Sequence, residues 1–327
     1  MDKVTSKQMV GIDVSKDTFD VYIEDSGHAQ YCNDRKGFKA FAKALIKDHH
    51  CVMESTGSYH QRLALFLFES GFTVSIVNPL SIRRYIEMKL IHVKTDRSDA
   101  YWICNYGNEQ RYDLRVWQPN KDYVEQCGAL ITVSMLLHKQ STGLKNKLHS
   151  LNSRGHEKGI AVRTLKLQLK RAKTELQKLE AEMERLIKDN EPELFTHITS
   201  IPGIGRKTAM FLIVVTQGFE GFENHRQVVS YLGLAPTERT SGTSVRGTRR
   251  ISKAGNPVVR NSLFMCSFTA CQCNPQCRAL YERLVAKGKS KKLALIAVCN
   301  KLLKQAFAVA RSGMPYDPEY RSTRPSM

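Results

Sequence analysis

Between residues 8 and 77 the chain alternates stretches of strand length with stretches of helical period, and few folds accept that alternation. QMVGIDVS, FDVYIED and HAQYCND read as strands, and KGFKAFAKALIKDH as a helix. CVMES follows as a buried strand, SYHQRLALFLFESG as a helix ending at Gly71, and TVSIVN as a further strand. The pattern predicts an α/β sheet domain. Pro79 opens a mostly helical segment running to about Gln110 with KTDRSDA in its middle, and VWQPN reads as an exit linker.

A second helical pattern runs from Asp122 to about His149, and after the SRGHEKG break a third runs from about Thr164 to Lys188. In the third, Leu169, Ala172, Leu176, Leu179, Met183 and Leu186 recur at steps of three and four, which is heptad spacing. Such spacing predicts long coiled-coil-like helices that bring copies of the chain together, with a helical hairpin packed inside one subunit as the alternative. A break at Glu191-Pro192-Glu193 introduces a mostly α-helical C-terminal domain. The expected division is therefore 1–118, 119–190 and 191–327, as the length of 327 residues calls for more than one core.

Charge narrows the partner. The formal net charge is +19, made of an excess of +1 over residues 1–120, +6 over 121–190 and +12 over 191–327. A basic excess concentrated toward one end is the footprint of a polyanion, most often nucleic acid. A membrane surface fits less well, because the basic segments lack an amphipathic pattern with aromatic anchors. No apolar run reaches the roughly 18 residues of a spanning helix, so no membrane partner is expected and the cytoplasm is the expected compartment. The nine cysteines read as reduced thiols. Cys266, Cys271, Cys273 and Cys277 cluster without paired CxxC units, and ordinary thiols near a helix are the better reading than a zinc site.

Asp13 ends the apolar strand MVGIDVS and Glu54 ends CVMES, positions where a lone ionised carboxylate costs several kcal/mol unless something compensates it. Asp96 and Asp99 in KTDRSDA are three apart and share one helix face. Four carboxylates converging from two strands and a helix can hold two Mg²⁺ ions, the arrangement of nucleases and phosphoryl-transfer enzymes. Taken singly, Asp13 and Glu54 read better as turn or cap residues and Asp96 and Asp99 as solvated helix charges; taken jointly, on this strand order, the four favour metal.

Two further elements suit phosphates. Ser200 to Ala209 (SIPGIGRKTA) matches the helix-hairpin-helix pattern, in which Gly203 and Gly205 let the backbone approach a phosphate ahead of Arg206 and Lys207. A tight turn between packed helices is the alternative. TSGTSVRGTRRISKAGN contains Gly242, Gly247 and Gly255 for close backbone approach, and Arg246, Arg249, Arg250 and Lys253 for charge. A serine among such donors can also attack phosphorus, although physics alone favours a binding loop.

Six motifs, GIDVSKDTFDV, MESTGSY, NPLSIRRY with KTDRSDA, SIPGIGRKTA, YLGLAP and SGTSVRGTRRISKAGN, occur in one order over nearly the whole chain. In this the sequence resembles the bacterial insertion-sequence transposases that join an N-terminal RuvC-like DEDD domain to a C-terminal serine domain, a group that includes the Piv-type DNA invertases. The resemblance implies an RNase H-like (RuvC-like) first domain and a recombinase acting on donor and target DNA. It implies Asp13, Glu54, Asp96 and Asp99 as the Mg²⁺-binding catalytic set, and Ser241, directly before Gly242, as the nucleophile, with Ser244 close by. It also implies a noncoding bridge RNA as guide and a homo-oligomer, dimer or tetramer, at the bacterial nucleoid. A RuvC-like junction endonuclease without a covalent intermediate is the rival enzyme.

Overall fold

The computed structural model describes residues 8–55, 57–90, 96–237, 240–241, 245–246 and 250–319, with the side chains of 96, 97, 240, 241, 245 and 246 outside that description. The chain divides into two compact units, Met1–Pro119 and Asn120–Met327.

The first unit is a five-stranded mixed sheet. β1 (Gln8–Val14), β2 (Thr18–Ile23) and β3 (Gly27–Cys32) form an antiparallel meander, followed by α1 (Arg35–Ala44), β4 (His49–Glu54), α2 (Gln61–Glu69), β5 (Thr73–Val77), α3 (Pro79–Met88) and α4 (Asp96–Glu109). Strand order is β3-β2-β1-β4-β5, with β4 parallel to both β1 and β5. Asp34 caps α1 by accepting from the amides of Lys36 and Gly37, and Asn78 caps α3 ahead of Pro79.

Strand alternation sorts the side chains onto two faces. Val10, Ile12, Val14, Phe19, Val21, Cys51 and Met53 join Phe38 and Phe41 of α1 and Leu63 and Leu67 of α2 in one core. Met9 and Val52 face the other way and pack with Ile82 of α3 and Ile103 and Cys104 of α4. Gly11 shares that second face, and a Cβ there would collide with the Ala100 carbonyl oxygen and the Cys104 amide nitrogen, so the backbone of α4 rests directly on β1.

The second unit begins with α5 (Asp122–Ser153) and α6 (Ile160–Asn190), which pack as a hairpin. α7 (Pro192–Thr199), α8 (Arg206–Thr216) and α9 (His225–Tyr231) follow, then β6 (Pro236–Thr237), β7 (Thr240–Ser241), β8 (Val245–Arg246) and β9 (Arg250–Ile251), and finally α10 (Pro257–Cys273), α11 (Pro275–Ala286) and α12 (Lys291–Ser312). The helices expected within 119–190 thus lie in the same compact unit as the C-terminal segment. Both run longer than their periodicity suggested, α6 starting at Ile160 immediately after Gly159, whose φ of 114° no helix accepts.

The heptad positions of α6 divide by depth. Met183 and Leu186 enter the main core with Tyr123, Val124 and Cys127 of α5, whereas Leu169, Leu176 and Leu179 are half-buried. α12 is long and apolar enough to cross a membrane by length and composition, with a mean hydropathy of 1.5, although no uninterrupted apolar run in it reaches the length of a span. Lys301 and Lys304 break its apolar run in the sequence. Val298, Cys299, Leu302, Leu303 and Ala306 of this helix are fully buried in the core of the unit.

Candidate active site and nucleic-acid interface

The β1–β4 pairing runs in parallel register to Ile12 opposite Met53, so the next residues, Asp13 and Glu54, stand side by side at the C-terminal ends of adjacent strands. Both are half-buried, and both occupy the face covered by α4. The direction of α4 brings its first turn to the same end. Gly107 lies over Met9 and Val52, and Ala100 lies over Gly11. Four residues back from Ala100 is Asp96, about 6 Å along the helix, and two residues on from Gly11 is Asp13, about 6.6 Å along the strand. The helix start and the strand end therefore advance together. Asp99 is half-buried beside Ala100; Asp96 is the first residue of α4, its side chain outside the described set.

The α4–β1 interface is closely packed. The Cys104 thiol donates to the Met9 carbonyl at 3.3 Å, and burial pushes it up to about 11, which makes it packing rather than a nucleophile. Among the described residues no three His, Cys, Asp or Glu side chains are close enough to share a metal ion. The residues expected from the sequence, Asp13, Glu54, Asp96 and Asp99, are all carboxylates, donors suited to hard divalent cations.

One carboxylate escaped the sequence reading. Asp20 of β2 is directly opposite Asp13 in the antiparallel β1–β2 register and is 5% exposed. His28 Nε2 lies 2.6 Å from one of its oxygens, and Gln30 donates to the other at 3.1 Å. The row Asp13, Asp20, Gln30 crosses three strands on the α4 face.

In the second unit, Gly203 has φ of 102° and no room for a side chain, since a Cβ would lie 2.6 Å from that of Ala270 on α10. Gly205 precedes α8 with open space around it. Arg206 and Lys207 do not project freely: Arg206 pairs with Glu184 and Lys207 with Glu180, both on α6, and Lys207 also lies 3.2 Å from His138 Nε2. Pairs this exposed contribute about 0–1 kcal/mol, so a phosphate can displace the carboxylates.

The basic loop is built as a hairpin. β6 pairs with β9, and inside it β7 pairs with β8, Ser241 opposite Val245. Ser241 is thus the second residue of β7, and residues 242–244 lie outside the described residues. Arg246 stands opposite Thr240 on β8, Arg250 is exposed on β9, and Lys253 is exposed with φ of 57°. Gly242, Ser244, Gly247 and Arg249 lie outside the described residues. The base of the hairpin is pinched where Gly233 and Gly255 meet: a Cβ on the first would strike the Ala254 carbonyl, and one on the second the Tyr231 carbonyl. Arg260 of α10 clamps this base, donating to the carbonyls of Leu232 at 3.1 Å and Gly255 at 2.8 Å. Nothing in the spacing of Arg260 announced that role. All nine cysteines are free; Cys266 lies 3.2 Å from the Thr208 hydroxyl, and Cys273 is exposed.

Carboxylates at the strand ends of a mixed sheet, in the same chain as a basic helical unit, suit an enzyme acting on nucleic acid, and comparison with known proteins narrows the class to DNA transposases. A DEDD transposase domain profile matches residues 10–153, and the Transposase IS116/IS110/IS902 family profile matches residues 196–282. The chain is 31% identical over 326 residues to the pilin gene-inverting protein of Moraxella lacunata, covering 95% of this chain and 98% of that protein, and equally to its counterpart from Moraxella bovis. It is 25% identical over 286 residues to the transposase for insertion sequence element IS1111A of Coxiella burnetii, covering 78% and 76% of the two chains. The protein belongs to the IS110/IS116 family of transposases. It is accordingly a DNA recombination enzyme, and its DEDD domain, of the RNase H-like class, suggests the use of a divalent metal.

Proposed function

We propose that the protein is the Mg²⁺-dependent recombinase of an insertion sequence, which cuts and rejoins DNA with Asp13, Glu54, Asp96, Asp99 and the nucleophile Ser241. The observation that carries the reading is the position of Ser241, paired with Val245 in a hairpin fixed at its base by Gly233, Gly255 and Arg260, in a chain of the DEDD transposase family. The Ser241 hydroxyl oxygen forms a bond to phosphorus while a bond from phosphorus to one strand end breaks, and the hydroxyl proton leaves with that strand-end oxygen. One phosphodiester is exchanged for another, so religation needs no external energy source. Arg246, Arg249 and Arg250 stabilise the charge that develops. Asp13, Glu54, Asp96 and Asp99 would hold Mg²⁺, two ions per site, which when bound would supply positive charge for phosphoryl transfer.

The turn at Gly203 and Gly205 acts in this reading as a helix-hairpin-helix-like contact to a DNA phosphate, with Arg206, Lys207 and Lys253 adding charge. A noncoding bridge RNA guides target choice, and the working form is a dimer or tetramer in the cytoplasm at the nucleoid. Inversion of a DNA segment is the second reading, favoured by the near full-length similarity to the pilin gene-inverting proteins.

The test looks for protein-linked DNA after labelled substrate and enzyme are denatured together. Ser241→Ala is expected to bind DNA and form no adduct, while Ser244→Ala retains adduct. An undiminished adduct with Ser241→Ala returns the loop to a binding role and leaves a junction endonuclease as the better description.

A further inference from the structure

The α5–α6 hairpin changes its electrostatic character along its length. Toward Asn190, α6 neutralises itself: Lys178 pairs with Glu175, Arg185 with Glu182 and Asp189, and Lys188 with Glu184. Residues 139–174, which comprise the last part of α5, the connection and the first part of α6, hold ten lysines and arginines against a single carboxylate, Glu157. All ten are exposed. Four of them, Arg163, Lys166, Lys170 and Lys173, recur at steps of three, four and three and so form one stripe on α6. None of the four enters a salt bridge among the described residues.

Each cation of the stripe directly follows an apolar position, Val162, Leu165, Leu169 or Ala172. The stripe therefore lies about 100° around the helix from the apolar seam, on its exposed flank. Solubility alone is served by interspersed charges of both signs, as the other end of α6 has. A single-sign stripe at i,i+3 and i,i+4 spacing destabilises its helix by repulsion. A polyanion laid along it removes that cost.

We propose that the distal part of the α5–α6 hairpin is an arm for duplex DNA, with Arg163, Lys166, Lys170 and Lys173 following the phosphates of one strand. The inference rests on the DNA recombinase reading and adds a surface that the reading does not include. Ten residues of helix span about 15 Å, and one strand presents a phosphate every 3.4 Å along the duplex axis, so the stripe faces roughly four phosphates. Lysine-rich contact of this kind grips the backbone without reading bases. The arm holds DNA of any sequence.

The test measures binding of the full-length protein to duplex DNA of unrelated sequence between about 50 and 200 mM salt. Replacing the four stripe residues with glutamine, an equally good helix former, is expected to lower the slope of log affinity against log salt by roughly 3 to 4. The wild-type protein should therefore lose roughly a hundredfold more affinity across that range than the variant. Lys178→Gln with Arg185→Gln, which removes cations already neutralised by neighbours, should leave the slope as it was. DNA should also protect Lys166, Lys170 and Lys173 from acetylation in the wild-type protein, a readout independent of how the variant folds. A wild-type slope in the quadruple variant, no protection of these lysines, or a loss confined to structured RNA overturns the proposal. Wild-type protein that binds no duplex DNA at all sinks the recombinase reading with it, whereas wild-type binding with an unaffected variant sinks the arm alone.

Discussion

Gly11 sits where β1 and α4 meet, and it determines whether the helix-borne carboxylates can reach the strand-borne ones. A Cβ at this position meets backbone atoms of Ala100 and Cys104, which cannot swing aside as the end of a side chain can. Gly11→Ala is therefore expected to push α4 off the sheet, to cost about 1–3 kcal/mol in denaturant unfolding, and to lower DNA cleavage more than DNA binding. A variant as stable and active as the parent would show that α4 is not seated on β1. Asp13 and Glu54 were legible from the sequence because each interrupts the end of an apolar run. Asp20 was not. Its partners His28 and Gln30 are eight and ten residues away, on the next strand, and only the register of β2 with β3 and of β1 with β2 reveals that it is buried opposite Asp13. Arg260 was hidden for the same reason, since its two carbonyl acceptors belong to segments that meet only when Gly233 and Gly255 pack together.

Elements carried more of the sequence signal than single side chains did. Every strand and helix expected between residues 8 and 77 is present, because alternation and turn residues are local properties. The short ribbons β6 to β9 carry no such signal: two-residue strands have no period to read, and only their pairing defines them. The α6 seam shows a different limit, because heptad spacing states that a helix has an apolar partner and not which helix that is. Met183 and Leu186 find theirs in α5 of the same chain, while Leu176 and Leu179 are half-buried and keep surface that a second copy can cover. Leu176→Glu with Leu179→Glu is expected to lower the oligomeric state in sedimentation velocity. Met183→Ala should instead cost about 2–5 kcal/mol of stability and leave assembly alone. If the double variant sediments as the parent does, the whole seam belongs to the hairpin.

Across the whole molecule, charge and carboxylate chemistry fall on different units. Residues 1–120 carry an excess of +1 and residues 121–327 supply the remaining +18 of the net +19. Counterion release scales with the number of phosphates neutralised, so the salt dependence of DNA binding should be a property of the second unit. The first unit contributes the strand-end carboxylates, whose negative charge repels DNA until a cation offsets it. Asp13→Asn separates the two contributions in the intact protein. It removes one negative charge and one carboxylate oxygen, and it leaves every lysine and arginine in place. Without added divalent metal, its affinity for duplex DNA should equal or slightly exceed that of the parent, and its log-log salt slope should match the parent's. With metal, strand cleavage should be abolished while that slope persists. Retained cleavage would remove Asp13 from the catalytic set, and a shallower slope would mean that the first unit helps to grip the phosphate backbone despite its near-neutral charge.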